Sequence, residues 1–130
     1  MTSALRTRWL WAIAGIVFAA IGMRYWDILR SAFVFNPIPP TAQSIDRGRQ
    51  LFRQDCSACH GADARGNGPA AAQLPQHPKD LTRIARPPIF PDGVVAYRIA
   101  NGDHAMPAWK SVLSTEDIWH LINYIRSLRR

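Results

Sequence analysis

The chain has 130 residues, with 16 Lys and Arg against 9 Asp and Glu, for a net charge of +7. That length suffices for one small domain and not for two. The positive charge comes without a Lys/Arg run and with few aromatics free to stack on bases, which argues against nucleic-acid binding.

Trp9 to Met23 is 15 residues without a charge. If Arg24 snorkels, the apolar stretch continues to about Leu29, close to the ~20 residues needed to cross a bilayer. Trp9, Trp11, Tyr25 and Trp26 sit near its ends, as interfacial aromatics do. A cleaved signal peptide is the competing reading, with Arg6 and Arg8 as its basic region. No small-x-small triplet with a mature-looking start follows Met23, however. Residues 1–30 are therefore expected to be an uncleaved signal-anchor. They and the next five residues carry four Arg and one Asp; the remaining 95 residues carry twelve Lys and Arg against eight Asp and Glu.

Residues 31–43, SAFVFNPIPPTAQ, read as a Pro-rich linker, since Pro37, Pro39 and Pro40 favour extended chain. The domain proper is expected over 44–130. Ser44 is placed to cap a helix over about 45–55, with Ile45, Gly48, Leu51 and Phe52 on one face and Asp55 breaking its apolar end. A long Gly- and Pro-rich loop follows over about 61–91. In a compact domain such a loop is expected to wrap something. Asp92 is placed to cap a helix over about 93–100, ended by Asn101-Gly102.

The last helix is the clearest. Ser114-Thr-Glu-Asp117 has the form of a capping box. Ile118, Leu121, Ile122, Ile125 and Leu128 make one apolar stripe, and Arg126, Arg129 and Arg130 fall where the helix dipole favours cations. No strand pattern is evident, so the fold class is all-α.

Cys56 and Cys59 are the only cysteines, and His60 follows at once in CSACH. A thioredoxin-like pair would open a helix after a strand, and no strand is evident. A zinc site lacks a second cysteine pair. A disulfide across two residues stabilises little. Attachment of a c-type haem uses all three residues, with two thioethers on the porphyrin and the adjacent imidazole on iron. A sixth ligand is then needed from the opposite face. Met1 and Met23 belong to the anchor, which leaves Met106, in a loop stiffened by Pro107. The rivals are His77, His104 and His120, and His104, two residues from Met106, is the serious one.

From about Gln43 to the end, the chain resembles a class I c-type cytochrome. The resemblance rests on GRQLFRQDCSACHG, the GNGPA loop, ANGDHAMPAW and LSTEDIWHLINYIRSL. It implies a small fold of three to four helices around one covalent haem c, preceded here by the single transmembrane helix. It implies that an N-terminal helix crosses the C-terminal helix at near right angles, with Gly48 allowing the close approach beside Phe52, and with Leu121 and Tyr124 facing them. A mid-helix Gly costs roughly 1 kcal/mol against Ala, which suits a packing role. The family holds its haem histidine through a loop proline carbonyl, and Pro69 is the best match for that proline. HPKDLTRIARPPIFP matches no family motif with a role.

A haem with both axial positions filled exchanges one electron and does not readily bind oxygen or peroxide. Methionine ligation and apolar burial both raise its potential. The expectation is an electron-transfer protein of a bacterial respiratory chain, not an enzyme in itself. The alternative is a haem sensor or small-ligand-binding haem enzyme with a labile sixth ligand, against which Met106 argues. Covalent haem attachment takes place outside the cytoplasm, so the haem domain is expected in the periplasm, on a single-pass anchor in the inner membrane. Expected partners are the lipid bilayer and a membrane complex (a terminal oxidase or quinol-oxidising complex) or another cytochrome. The linker would reach at most ~45 Å at ~3.3 Å per residue, and would allow either a tethered shuttle or a fixed subunit.

Overall fold

The structure, a computed structural model, describes residues 2–85 and 90–129. The side chains of residues 2–7 and of Arg24, residues 86–89 of the long loop, and Arg130 lie outside that description. The snorkelling expected of Arg24 is among what lies outside it. The chain divides into two compact units, residues 1–30 and residues 31–130.

The first unit is α1 (Thr2–Ser31), a helix that runs on into the first residue of the second unit. Its segment Arg8–Ser31 has 24 residues, and the most apolar 18-residue stretch within it has a mean hydropathy of 1.5, which makes it long and apolar enough to cross a membrane. At 1.5 Å per residue that segment is ~36 Å long, against a hydrocarbon core of ~30 Å. Its large apolar side chains, among them Trp9, Phe18 and Trp26, are exposed.

The second unit is helical, and among the described residues it contains no strand, only an isolated bridge between Asp103 and Met106. It begins with α2 (Ala42–Leu51), whose cap is Thr41 and not Ser44: the Thr41 hydroxyl accepts from the Ser44 N–H at 3.2 Å. Ser44 is buried inside the helix, where its hydroxyl meets His120 Nδ1 at 2.8 Å. The chain then widens into a π-helical turn (Phe52–Cys56) before α3 (Ser57–His60). Such turns recur at functional sites.

The long loop is not structureless. It holds a 3-10 turn (Ala71–Gln73) and α4 (Leu81–Ile84). Asp80 caps α4, accepting from the Thr82 N–H at 2.9 Å and the Thr82 hydroxyl at 2.6 Å. Helix α5 (Asp92–Asn101) has Pro91 at its N-cap position, with no side-chain capping bond. Asp92, expected as that cap, sits in its first turn and pairs with Arg126 at 2.7 Å. Helix α6 (Thr115–Ser127) starts as its sequence predicts, with the Ser114 hydroxyl accepting from the Asp117 N–H at 3.0 Å.

The core lies where α2, α5 and α6 meet. Of the predicted stripe, Ile118, Leu121, Ile122 and Ile125 are buried, while Leu128, at the C-cap of α6, is only partly buried against them. Phe52, Leu121 and Ile122 are the largest fully buried side chains, each stabilising by ~1.5–3 kcal/mol on burial. Gly48 makes the close approach of α2 to α6 possible. A Cβ there would stand 2.6 Å from the His120 carbonyl carbon and 2.8 Å from Tyr124 Cβ. Next to it the Phe52 and Tyr124 rings are 5.3 Å apart at 52°.

Residues 31–43 differ from the free linker their prolines predict. The Val34 carbonyl accepts from the Gly93 N–H at 3.1 Å. Asn36 Nδ2 donates to Asn123 Oδ1 at 2.8 Å and to the Trp119 carbonyl at 3.2 Å. Asn123 Nδ2 in turn donates to the carbonyls of Ile38 (3.0 Å) and Pro39 (3.3 Å) and to Ser44 Oγ (2.8 Å). Prolines favour extended backbone, but extended backbone leaves its carbonyls open to donors, and a buried Asn on α6 supplies them. The segment is the first layer of the second unit.

Candidate haem site

An apolar cavity opens beside α3, walled by Phe52, Ile84, Val95, Ile99, Leu121 and Ile125. Cys56, Cys59 and His60 lie on it from one side of the chain, and Met106 and Trp109 from the loop between α5 and α6. Four of the five predicted site residues are thus brought to one cavity; Pro69 is not. It is exposed, and it does not line the cavity. The carbonyl that faces His60 Nδ1 is that of Lys79, at 3.2 Å. The role expected of Pro69 therefore falls to a residue ten positions further on.

The reason lies in the glycine-rich loop. Gly61, at φ 79°, ends α3. The loop then folds back over the C-terminal carbonyls of that short helix. The N–H groups of Gly66, Gly68 and Ala70 donate to the carbonyls of His60 (2.8 Å), Cys59 (3.1 Å) and Ala58 (2.9 Å). A Cβ on Gly68 would stand 2.7 Å from the carbonyl carbons of both Ala58 and Cys59, so only glycine fits. The GNGPA loop thus closes the orphan carbonyls of α3, and Pro69 follows on the outside. The chain returns over the cavity at Pro78-Lys79, anchored by the Leu81 N–H donating to the Ala64 carbonyl at 2.8 Å.

Burial pushes the His60 pKa down, and the bond to the Lys79 carbonyl opposes that shift only in part. The neutral imidazole donates through Nδ1 to Lys79, which leaves Nε2 as a lone-pair donor. The Cys56 thiol is pushed up to about 12, first by burial and then by the nearby Asp55 and Cys59. A thiol that stays protonated is not poised as a redox nucleophile.

Met106 comes to the cavity on a tight loop. The Asp103 N–H donates to the Met106 carbonyl at 3.1 Å, and the Met106 N–H to the Asp103 carbonyl at 2.9 Å. Gly102 at φ 81° and His104 at φ 53° make the reversal. The Trp109 and Lys110 N–H groups donate back to the carbonyls of Ile99 (3.0 Å) and Ala100 (3.1 Å), which ties the loop to α5. His104 also borders the cavity, but it is 69% exposed and its Nδ1 is held by Asp103 Oδ1 at 2.7 Å. His77 borders it as well, exposed, and His120 does not. The Asp103 carboxylate further meets Arg98 at 3.4 Å and Lys79 at 3.9 Å, so it joins the Met106 loop to the segment that holds His60.

Lys79 and Asp103 carry no signal at the sequence level. Lys79 acts through its backbone, which every residue has, and Asp103 acts through partners on two other segments. The donor set fits a haem c: two thiols and an imidazole close together in the chain, a thioether on the same apolar cavity, and a carbonyl bonded to the imidazole.

The chain matches the family model for cytochrome c oxidase, cbb3-type, subunit III over residues 43–125. It is 34% identical over 107 residues to cytochrome c6 of Porphyra purpurea, covering 78% of this chain and 90% of that protein. To cytochrome c6 of Gracilaria tenuistipitata var. liui it is 32% identical over 84 residues, covering 65% of this chain and 72% of that one. Among solved structures, a chain of the Kuenenia stuttgartiensis reducing HAO-like protein complex superposes with a TM-score of 0.63 at 27% identity. The match covers 76% of this chain and only 49% of that one. The fold, the donor set and these matches converge: the chain belongs to the class I c-type cytochromes, in the family that the cbb3-type subunit III model describes.

Proposed function

We propose that this chain is a one-electron carrier with a single haem c, which Cys56 and Cys59 would bind covalently and whose iron His60 and Met106 would ligate. The observation that carries the reading is the meeting of these four side chains on one apolar cavity. A bound haem supplies Fe(III)/Fe(II) exchange. The residues around it do the rest. The Lys79 carbonyl keeps the proton on His60 Nδ1 and the lone pair on Nε2. The Asp103–Met106 pair of backbone bonds limits how far the thioether can move. Phe52, Leu121 and their neighbours exclude water, which disfavours the ferric charge and limits reorganisation.

The length and hydropathy of α1 support a membrane anchor, with the haem domain on the periplasmic side of a bacterial inner membrane. The acceptor is then a membrane complex such as a terminal oxidase, or another cytochrome. The resemblance to an oxidase-subunit family and to one chain of a solved complex supports that choice. The test is to purify the full chain from detergent-solubilised membranes and identify what accompanies it. The reduced complex should then be mixed with oxygen. Reoxidation of this haem together with an oxidase supports the proposal. Recovery in the soluble fraction, or a haem that stays reduced beside its partners, counts against it.

A further inference from the structure

Residues 31–35 place two large aromatic side chains where water is a poor partner for them. Phe33 is 80% exposed and Phe35 83% exposed, while Val34 between them lies against Gly93 at the start of α5. The backbone is not free to turn the rings inward. The Val34 carbonyl is held by the Gly93 N–H, and Asn36 is held by Asn123 and the Trp119 carbonyl. Ala32 and Phe33 are all that separates the end of α1 at Ser31 from the first of these bonds.

From this we infer that Phe33 and Phe35 are seated in the headgroup layer of the bilayer. The inference rests on reading α1 as a membrane span. Arg30, one residue before the end of α1, marks where that helix leaves the hydrocarbon. Two residues of extended chain reach ~7 Å and four reach ~14 Å, and the polar layer outside the hydrocarbon is ~5–7 Å thick on each side. Phe33 therefore stays within about one layer thickness of the hydrocarbon edge, and Phe35 within about two. Phenylalanine buries favourably at that depth. The occupant that chain geometry brings to these rings is lipid, whichever way the domain faces.

The test is site-specific photocrosslinking of the full-length holoprotein in its native membrane. Phe33, Phe35 and Phe18 are each replaced, one at a time, by benzoylphenylalanine, whose added benzoyl group is accommodated because all three positions are exposed. Phe18, in the middle of α1, reports on the span itself. The inference predicts a mass shift of one phospholipid at all three positions. A phospholipid adduct at Phe18, with a protein-sized adduct at Phe33 and Phe35, overturns it in favour of a partner subunit. A phospholipid adduct at Phe18 with no adduct at the other two overturns it in favour of solvent. No phospholipid adduct at Phe18 removes the anchor reading itself, and the inference with it.

Discussion

Replacing Gly48 by Ala puts one methyl group between α2 and α6. On helix propensity alone the change should stabilise α2 by about 1 kcal/mol. The structure reverses that sign. The new Cβ would stand 2.6 Å from the His120 carbonyl carbon and 2.8 Å from Tyr124 Cβ. Backbone, unlike the end of a flexible side chain, cannot rotate aside, so the helices must separate. Overpacking of a dense core costs ~1–3 kcal/mol. Loosening the Phe52–Tyr124 ring pair costs a further ~0.5–1.5 kcal/mol. Weakening the bond between Ser44 and His120 costs ~0.5–1.5 kcal/mol. These terms overlap, because all follow from one displacement, and after the propensity gain a net loss of about 2–3 kcal/mol is expected. Urea denaturation of the detergent-solubilised holoprotein, followed by far-ultraviolet and Soret circular dichroism, measures it. A midpoint unchanged or raised by Gly48→Ala would show that α2 and α6 do not touch at this glycine, and the derived packing of the core would fall.

Three further outcomes follow from the site and its support. Met106→Ala should open the iron to carbon monoxide, and Met106→His should lower the potential by replacing a thioether with a more basic nitrogen; His104→Ala should do neither, and a high-spin haem in that variant would make His104 the ligand. Asn123→Ala should cost about 2–3 kcal/mol by leaving Asn36 and the Ile38 and Pro39 carbonyls short of partners, and hydrogen exchange should show residues 36–39 released; an unchanged denaturation midpoint would contradict the packed segment. Burial raises the Asp117 pKa, but the bonds from Arg47 and Ser114 outweigh it and leave it lowered in the folded protein. The stability it contributes is therefore present above the ordinary carboxylate range and lost as pH falls through that range towards the lowered value. Asp117→Asn should flatten this part of the acid-denaturation curve, and an acid limb identical to the parent's would remove the assignment.

What was legible in the sequence was what side chains announce. That Cys56, Cys59, His60 and Met106 come to one cavity could be expected from the Cys-x-x-Cys-His spacing and from Met106 being the methionine left once those of α1 are set aside. Ser114 places the start of α6 within a residue, but the helix ends at Ser127, before Leu128 and Arg129, which the stripe and the dipole argument had included. Gly48 is readable through a resemblance, because a glycine in mid-helix is costly without a neighbour to explain it. What was hidden depends on backbone groups and on distant partners. Thr41 and Ser44 can both cap a helix, and only the burial of Ser44 against His120 and Asn123 decides between them. Pro69 looked like the proline that holds the histidine, yet the glycines before it are used in closing α3, and the carbonyl arrives from Lys79. The prolines of residues 37–40 described an extended chain correctly but could not say that Asn36 and Asn123 fasten it.

The central claim is a haem held between His60 and Met106 for one-electron exchange. The most direct measurement is the optical spectrum of the purified full-length ferric protein, followed by reduction under carbon monoxide. The account predicts the weak far-red charge-transfer band of sulfur-ligated iron and a ferrous spectrum that carbon monoxide does not change. A ferric spectrum without that band, and a ferrous protein that binds carbon monoxide at once, would contradict it.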